Sequence, residues 1–261
     1  MKSVFRTAAL VLAAVSLAVS AGAQNHNRKV LPTDTFRLPG GGKLEINFIK
    51  HGSVALNYNG HVIYCDPATR FPKVKDFKVK YDTLDKADVI LVTHSHSDHL
   101  DTLAIRDLIQ PGTLVVFNRE SGAMVKNLGV TMENGNVLWA GDWVKITAVP
   151  SANFLPGSGK THPNDGRNNG YIMEFPGGFR VYFPGDIDQV PKVVCDPKRP
   201  IDVAFFPINQ PTTMTVKQAA KEARRLKPKV LYPIHFNDSP VGQLPRMLKG
   251  TGIKVRIRPM E

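Results

Sequence analysis

Cysteine is scarce in this chain, since only Cys65 and Cys195 occur among 261 residues. So few cysteines exclude a scaffold held by many disulfides, and their spacing does not by itself establish a bond between them. Neither residue has the clustered partners of a zinc–cysteine site or of a thiol catalyst. The sequence also has no internal repeat, no glycine-rich phosphate-binding loop and no GxSxG turn. Solenoid folds, P-loop nucleotide enzymes and serine hydrolases with a nucleophile elbow are therefore disfavoured.

Acidic residues are outnumbered, because 22 Asp and Glu against 34 Lys and Arg give a formal net charge of +12. This balance predicts attraction of anions, and hence a small anionic substrate as partner. Basic and aromatic residues interleave between Arg70 and Tyr81, a pattern that is also compatible with single-stranded nucleic acid. We favour a solvated surface loop for this segment. A basic rim that guides phosphate or carboxylate substrates is the second interpretation, and nucleic acid is the least favoured partner.

The most apolar stretch of the chain is confined to the N-terminus. Residues 1–6 are basic, residues 7–21 are apolar, and Ala21-Gly22-Ala23 offers a small-residue cleavage site. The pattern predicts three segments: a signal peptide over 1–23, a polar leader over 24–43 and one hydrolase-sized domain over 44–261. An uncleaved membrane anchor is the alternative, which the shortness of the apolar stretch disfavours.

Cleavage of the signal peptide would change the charge and the location of the protein. It removes two basic residues and no acidic ones, which lowers the formal charge from +12 to +10. The mature protein would have no stable membrane anchor and would be exported, periplasmic or secreted. Export further weakens nucleic acid as a partner.

Histidine and carboxylate concentrate in the segment 93–101, which follows the apolar run 89–92. Four ligand-type residues fall within six positions there: His94, His96, Asp98 and His99. A short apolar run bounded by polar residues predicts a buried strand, so the motif begins where that strand ends. Imidazole with carboxylate and no thiolate suits zinc, iron or manganese. Because alternate residues of an extended loop point the same way, His94 and His96 can bind one ion while Asp98 and His99 turn toward a second.

Three further ligand-type residues lie at or beside predicted strand ends. His162 precedes one strand-like stretch, Asp186 follows another and His235 ends a third. Each has an ordinary structural explanation when taken singly. Together they provide what a site along one edge of a sheet requires, and we predict that they join the motif.

The order and spacing of these residues resemble the metallo-β-lactamase fold superfamily from about Leu44 to the C-terminus. Three stretches, 48–53, 64–67 and 207–215, resemble its lactonase-like metal-dependent hydrolase branch, which is typified by ascorbate-6-phosphate lactonase. The resemblance implies an α/β fold, arranged as a single-domain αββα sandwich. Periodicity alone predicts only a mixture of α and β.

The resemblance also implies a ligand set for two divalent metal ions. The first ion would be held by His94, His96 and His162. The second would be held by Asp98, His99 and His235, with Asp186 bridging the two. Zinc is the expected metal, with manganese or iron as alternatives, because nitrogen and carboxylate ligands admit all three.

The implied chemistry is hydrolysis. Two such cations acidify a bridging water, so that a metal-bound hydroxide forms at physiological pH, and Asp98 is the expected catalytic proton acceptor. Common zinc β-lactamases place cysteine where Asp186 stands, which disfavours β-lactam hydrolysis. The leading hypothesis is an exported binuclear hydrolase of a small anionic ester, either a lactone or a phosphodiester. A phospholipid or nucleic-acid phosphodiesterase is one alternative, and a catalytically silent metal-binding scaffold is an alternative of another class.

Local patterns predict two hairpins and three helices. The hairpins are 54–65, through the turn Asn59-Gly60, and 171–183, through a Pro-Gly-Gly turn. The helices are expected at about 101–110, 119–128 and 216–226, and Thr215 with Gln218 forms a capping box for the last. Asp101 is interpreted as a carboxylate at a helix N-terminus, and His51 as a structural histidine near the site.

Overall fold

The computed structural model describes residues 31–70, 79–156 and 161–260. Fourteen strands in these residues form two seven-stranded sheets, and the strand order in each sheet follows the chain. The first half of the chain therefore builds one sheet and the second half builds the other. The predicted signal peptide and most of the basic segment 70–81 lie outside the described residues.

The first sheet contains β1 to β7 in that order. Its strands are β1 (Thr33–Arg37), β2 (Lys43–Lys50), β3 (Ser53–Tyr58), β4 (His61–Cys65), β5 (Val89–Val92), β6 (Leu114–Phe117) and β7 (Val130–Thr131). Strands β1 to β4 pair antiparallel, and β4 to β7 pair parallel. The predicted β3–β4 hairpin is confirmed, since Asn59 and Gly60 take φ values of 51° and 97°, as a type I′ turn requires.

The second sheet repeats this arrangement. Its strands are β8 (Val137–Ala140), β9 (Val144–Pro150), β10 (Asn169–Phe175), β11 (Phe179–Phe183), β12 (Val203–Pro207), β13 (Val230–Ile234) and β14 (Lys254–Val255). Strands β8 to β11 pair antiparallel, and β11 to β14 pair parallel. The predicted hairpin over 171–183 is β10 and β11, with Phe175 opposite Phe179.

The helices are α1 (Thr102–Leu108), α2 (Arg119–Met124), α3 (Val216–Leu226) and α4 (Leu244–Met247). The capping box of α3 is present as predicted, and the Asp101 side chain caps α1 by accepting hydrogen bonds from two backbone N–H groups. Helix α2 ends before residue 128, because the chain turns there into β7 and Asn127 takes a positive φ of 65°. Among the described residues, no helix is both long and apolar enough to span a lipid bilayer.

Three apolar clusters define four layers. One lies between the sheets and includes Phe48 and Phe205, another packs α3 on the second sheet, and the last packs α1 on the first sheet. Strand β5 is buried along its whole length, as expected for a parallel strand covered on both faces. The αββα sandwich is therefore confirmed. Cys65 and Cys195 are both free thiols.

The segment assigned to a polar leader contributes to the fold. Strand β1, within 24–43, pairs with β2 at the edge of the first sheet. Its Asp34 carboxylate accepts hydrogen bonds from Arg258 at 2.6 and 2.7 Å and from Arg256 at 2.9 Å. The alternating polar residues of this strand hid it from sequence reasoning, because an edge strand buries little. The folded domain thus begins before Leu44.

Candidate metal centre

The predicted ligands lie at the carboxyl ends of parallel strands or in adjacent loops. Strand β5 ends at Val92 directly before the motif, while Asp186 follows β11 and His235 follows β13. The carboxyl ends of parallel strands meet at one edge of a sheet, which gathers these residues. A Cβ placed on Gly185 would lie 2.7 Å from the Cβ of Thr93. Glycine therefore allows the chain before Asp186 to pack against the start of the motif.

Three imidazoles form one half of the centre. His94 Nε2 lies 3.1 Å from His96 Nδ1, and His162 Nε2 lies 3.3 Å from the same atom. These three ring nitrogens are close enough to one another to bind a single ion. The structure thus brings together the three residues expected for the first metal.

Asp186 stands between the two halves. Its Oδ2 lies 3.3 Å from His162 Nε2 and 3.5 Å from His235 Nε2. Its Oδ1 lies 3.6 Å from His99 Nε2. The carboxylate therefore contacts ligand-type residues of both halves, which is the position that a bridging ligand occupies.

Asp98, His99 and His235 form the other half. Asp98 Oδ2 lies 3.2 Å from His235 Nε2 and 3.7 Å from His99 Nε2. Ligand atoms of His99, His235 and Asp186 also lie close enough to one another to bind a single ion. All seven residues predicted from the sequence consequently converge on one site.

Unpartnered buried atoms indicate that the residues fit a metal. In the described structure, His99 Nε2 and Asp186 Oδ1 are buried without a hydrogen-bond partner. A buried polar atom left this way costs about 1–3 kcal/mol, which a coordinated cation would offset. The donors are imidazole nitrogens and carboxylate oxygens, and Cys65 and Cys195 are not among them. This donor set suits zinc, manganese or iron.

Burial favours the neutral form of two imidazoles in the first half, His94 and His162. Burial, together with the neighbouring imidazoles, holds the pKa of His94 well below its ordinary value. Burial also lowers the pKa of His162. Metal binding requires a ring nitrogen with a free lone pair, so both side chains have the protonation state of a ligand.

Charges govern the other half. Burial alone would raise the pKa values of Asp98 and Asp186, but nearby His99 and His235 lower both. Burial alone would lower the pKa of His99, but the carboxylates of Asp186, Asp98 and Asp66 raise it to about 10. The two carboxylates are therefore ionised at neutral pH, whereas His99 has to release a proton when a cation binds.

A buried pair, Asp66 and Thr93, fixes two of the histidines. Asp66 Oδ2 accepts hydrogen bonds from His99 Nδ1 at 2.8 Å and from Thr93 Oγ1 at 2.7 Å, and Oδ1 accepts one from Thr93 N at 2.7 Å. The single hydroxyl hydrogen of Thr93 is then committed, so Thr93 Oγ1 accepts from His94 Nδ1 at 2.9 Å. Both histidines consequently carry hydrogen on Nδ1 and present Nε2 to the centre.

Asn153 plays the corresponding role for His162, and no local sequence pattern indicates it. His162 Nδ1 lies 3.1 Å from Asn153 Oδ1 and 3.2 Å from the carbonyl oxygen of Thr212. Because both partners are acceptors, Nδ1 carries the hydrogen and Nε2 faces the centre. Asn153 is itself held, since its Nδ2 donates to the Thr212 carbonyl at 3.0 Å.

Comparisons with known proteins identify the family of this chain. A model of the beta-lactamase superfamily domain matches residues 45–235. A UPF0173 metal-dependent hydrolase of Anaeromyxobacter dehalogenans is 30% identical over 240 residues, which cover 84% of this chain and 85% of that protein. A second one, from Cupriavidus taiwanensis, is 32% identical over 225 residues and 77% of each chain.

A solved structure leads to the same family. A crystal structure from Parabacteroides distasonis, of a protein provisionally assigned as a metal-dependent hydrolase, has a TM-score of 0.80 at 42% identity. The match covers 89% of this chain and 100% of that one. The chain therefore belongs to the beta-lactamase superfamily and, within it, to the UPF0173 family of metal-dependent hydrolases.

Proposed function

We propose that the protein is an exported binuclear hydrolase that cleaves a small anionic ester, either a lactone or a phosphodiester. One observation carries the proposal: Asp186 lies within 3.6 Å of histidines from both halves of the centre. Three imidazoles on one side and Asp98, His99 and His235 on the other give each ion its own set of donors. A metal-binding scaffold without turnover is less well supported, because every expected ligand type is present.

The surroundings of each side chain indicate its role in the proposed reaction. Divalent ions, when bound, acidify a coordinated water and polarise a carbonyl or phosphoryl oxygen. Asp66, Thr93 and Asn153 keep the histidines in the tautomer that can bind those ions. Asp98 is held ionised, so its carboxylate can orient a water and accept a proton from it.

Exposure distinguishes the two carboxylates. The Asp98 side chain is 18% exposed, whereas that of Asp186 is 5% exposed. Ser97, next to Asp98, is exposed as well. Water and substrate can therefore reach the Asp98 carboxylate more readily than that of Asp186, which supports Asp98 over Asp186 as the proton acceptor.

The preference for an anion rests on charge. The formal net charge is +12 for the full chain and +10 after removal of residues 1–23, and it draws anionic ligands toward the protein. No cysteine occupies the bridging position. A carboxylate bridge suits ester, lactone and phosphodiester substrates with zinc, manganese or iron. Export rests on the sequence of residues 1–23, and fractionation of cells that produce the full chain tests it, with cytoplasmic retention as the contrary result.

The test of function is a hydrolysis panel with the mature protein, residues 24–261, loaded separately with zinc, manganese and iron. The panel contains lactones, phosphodiesters, phospholipids, thioesters and a β-lactam. Asp98→Asn keeps the size of the side chain and should lose turnover on the responding substrate by about 100-fold or more. Asp142→Asn is the control, because Asp142 is exposed in the turn between β8 and β9, at the end of β9 that lies away from the centre. Wild-type turnover in Asp98→Asn would remove Asp98 from the mechanism.

A further inference from the structure

His51 touches the centre, whereas the sequence predicts only a structural histidine near the site. It lies in the turn between β2 and β3, and its side chain is 6% exposed. His51 Nε2 is 3.4 Å from Asp98 Oδ2. Its ring centroid is 3.8 Å from that of His235. One residue therefore contacts both a carboxylate and an imidazole of the same half of the centre.

The backbone holds His51 from two sides. Its N–H donates to the carbonyl of Met260, and its carbonyl accepts a hydrogen bond from the N–H of His235 at 3.0 Å. His51 and His235 both take positive φ values, 54° and 49°. Such a backbone costs about 1–3 kcal/mol in a residue other than glycine and persists only where surrounding contacts enforce it. The strain at both residues points to a functional reason for the arrangement.

The rest of the turn packs on the same half. A Cβ placed on Gly52 would lie 3.4 Å from His99 Cε1 and 3.7 Å from His235 Cδ2. The hydroxyl of Ser53 donates to the carbonyl of Asp66 at 2.6 Å, and Asp66 binds His99. The β2–β3 turn is thus built against the Asp98–His99–His235 half.

We propose that His51 is a positioning residue that holds the Asp98 carboxylate against His235 through a hydrogen bond from Nε2. The inference rests on the proposed binuclear function and assigns the β2–β3 turn to one half of it. Asp98 is the most exposed carboxylate of the centre, so its orientation depends on such neighbours. Removing the donor should weaken one metal-binding step and leave the other unchanged.

The test uses three variants of the mature protein. His51→Gln keeps a donor at a similar reach, whereas His51→Met has a similar length and no donor. Both carry the same backbone strain, so they differ mainly in the hydrogen bond. His51→Asn provides a short side chain that tolerates a positive φ, and it replaces the Met variant if that variant fails to fold. His61→Met is the control, since His61 stacks on Trp143 at the start of β4, away from the strand ends that carry the centre.

The readouts are Zn²⁺ titration against a chromophoric chelator and the visible spectrum after loading with Co²⁺. In His51→Met, one of the two Zn²⁺ dissociation constants should rise by about 10- to 100-fold while the other stays within threefold. His51→Gln should restore both constants and the wild-type Co²⁺ spectrum. Unchanged constants in His51→Met, an equal rise in both, or no recovery in His51→Gln would each overturn the proposal. Fewer than two Zn²⁺ in the wild type would instead count against the binuclear function.

Discussion

Replacing Asp66 by asparagine tests how the centre is held together. Asp66 is fully buried, and its carboxylate accepts three hydrogen bonds, from His99 Nδ1, Thr93 Oγ1 and Thr93 N. Asparagine has the same shape and tolerates the φ of 47° found there. It replaces one accepting oxygen by an NH2 group, which can only donate. The fold is thus preserved while one acceptor is lost.

The consequence depends on which way the amide turns. If the NH2 group faces His99 Nδ1 and Thr93 Oγ1, it donates to both atoms. The Thr93 hydroxyl then donates to His94 Nδ1, so both histidines carry hydrogen on Nε2 and point it into the centre. Recovering the binding tautomer then costs about 1.5–3 kcal/mol, the value of a hydrogen bond to a charged group, or roughly 10- to 100-fold in affinity. With NH2 toward Thr93 N, the histidines are unchanged, but two donors face each other. The free energy of unfolding then falls by about 1–3 kcal/mol.

Two measurements separate these outcomes: Zn²⁺ affinity by chelator competition, and the free energy of unfolding of the metal-free protein in urea. Asp88→Asn is the matched control, because Asp88 lies directly before β5, at the end of that strand away from the centre. Its carboxylate accepts a hydrogen bond from Val62 N and lies 3.9 Å from His61 Nδ1. Its amide oxygen can keep that bond. The reasoning is refuted if Asp66→Asn changes the affinity by less than threefold and the unfolding free energy by less than about 0.5 kcal/mol.

Three further changes have distinct expected results. Asn153→Ala removes one of the two acceptors of His162 Nδ1, so Zn²⁺ affinity should fall by about 10-fold in chelator competition, and an unchanged constant would contradict this. Asp34→Asn should cost about 1–2 kcal/mol at pH 7 in urea unfolding. Burial would raise the pKa of Asp34, but hydrogen bonds from Arg258, Tyr232 and Arg256 lower it below 3.8. The stabilisation by this carboxylate is therefore fully present above pH 3.8, and it is lost as the pH falls through the lower pKa of the folded state. A difference that persists undiminished at acid pH would exclude the carboxylate as its source. Thr215→Ala should destabilise the fold by about 1 kcal/mol through loss of the α3 cap, whereas Thr215→Ser should not.

Features encoded by neighbouring residues were predictable. The motif follows β5, both hairpins form and α3 has its capping box, because alternation, turn residues and capping pairs act within a few positions. The seven candidate ligands could be proposed because most of them follow or end an apolar run and because their order resembles that of a known superfamily. The sandwich followed from resemblance, since periodicity does not say how two sheets stack.

Features that depend on distant partners were missed. Asp66 and His99 are 33 positions apart, and Asn153 and Thr212 are 59 apart, so no local pattern links them. The sequence predicts only a structural role for His51, because a lone histidine carries no information about what packs against it. Strand β1 escaped because an edge strand with exposed alternate residues resembles a polar linker.

Metal stoichiometry tests the two-ion centre most directly. The mature protein should be stripped with chelator, dialysed against excess Zn²⁺, and analysed for bound metal by elemental mass spectrometry, with Asp186→Ala alongside. We predict two Zn²⁺ per chain in the wild type and fewer in Asp186→Ala, because that carboxylate contacts both halves. A single Zn²⁺ in the wild type, or two retained in Asp186→Ala, would contradict a centre bridged by Asp186.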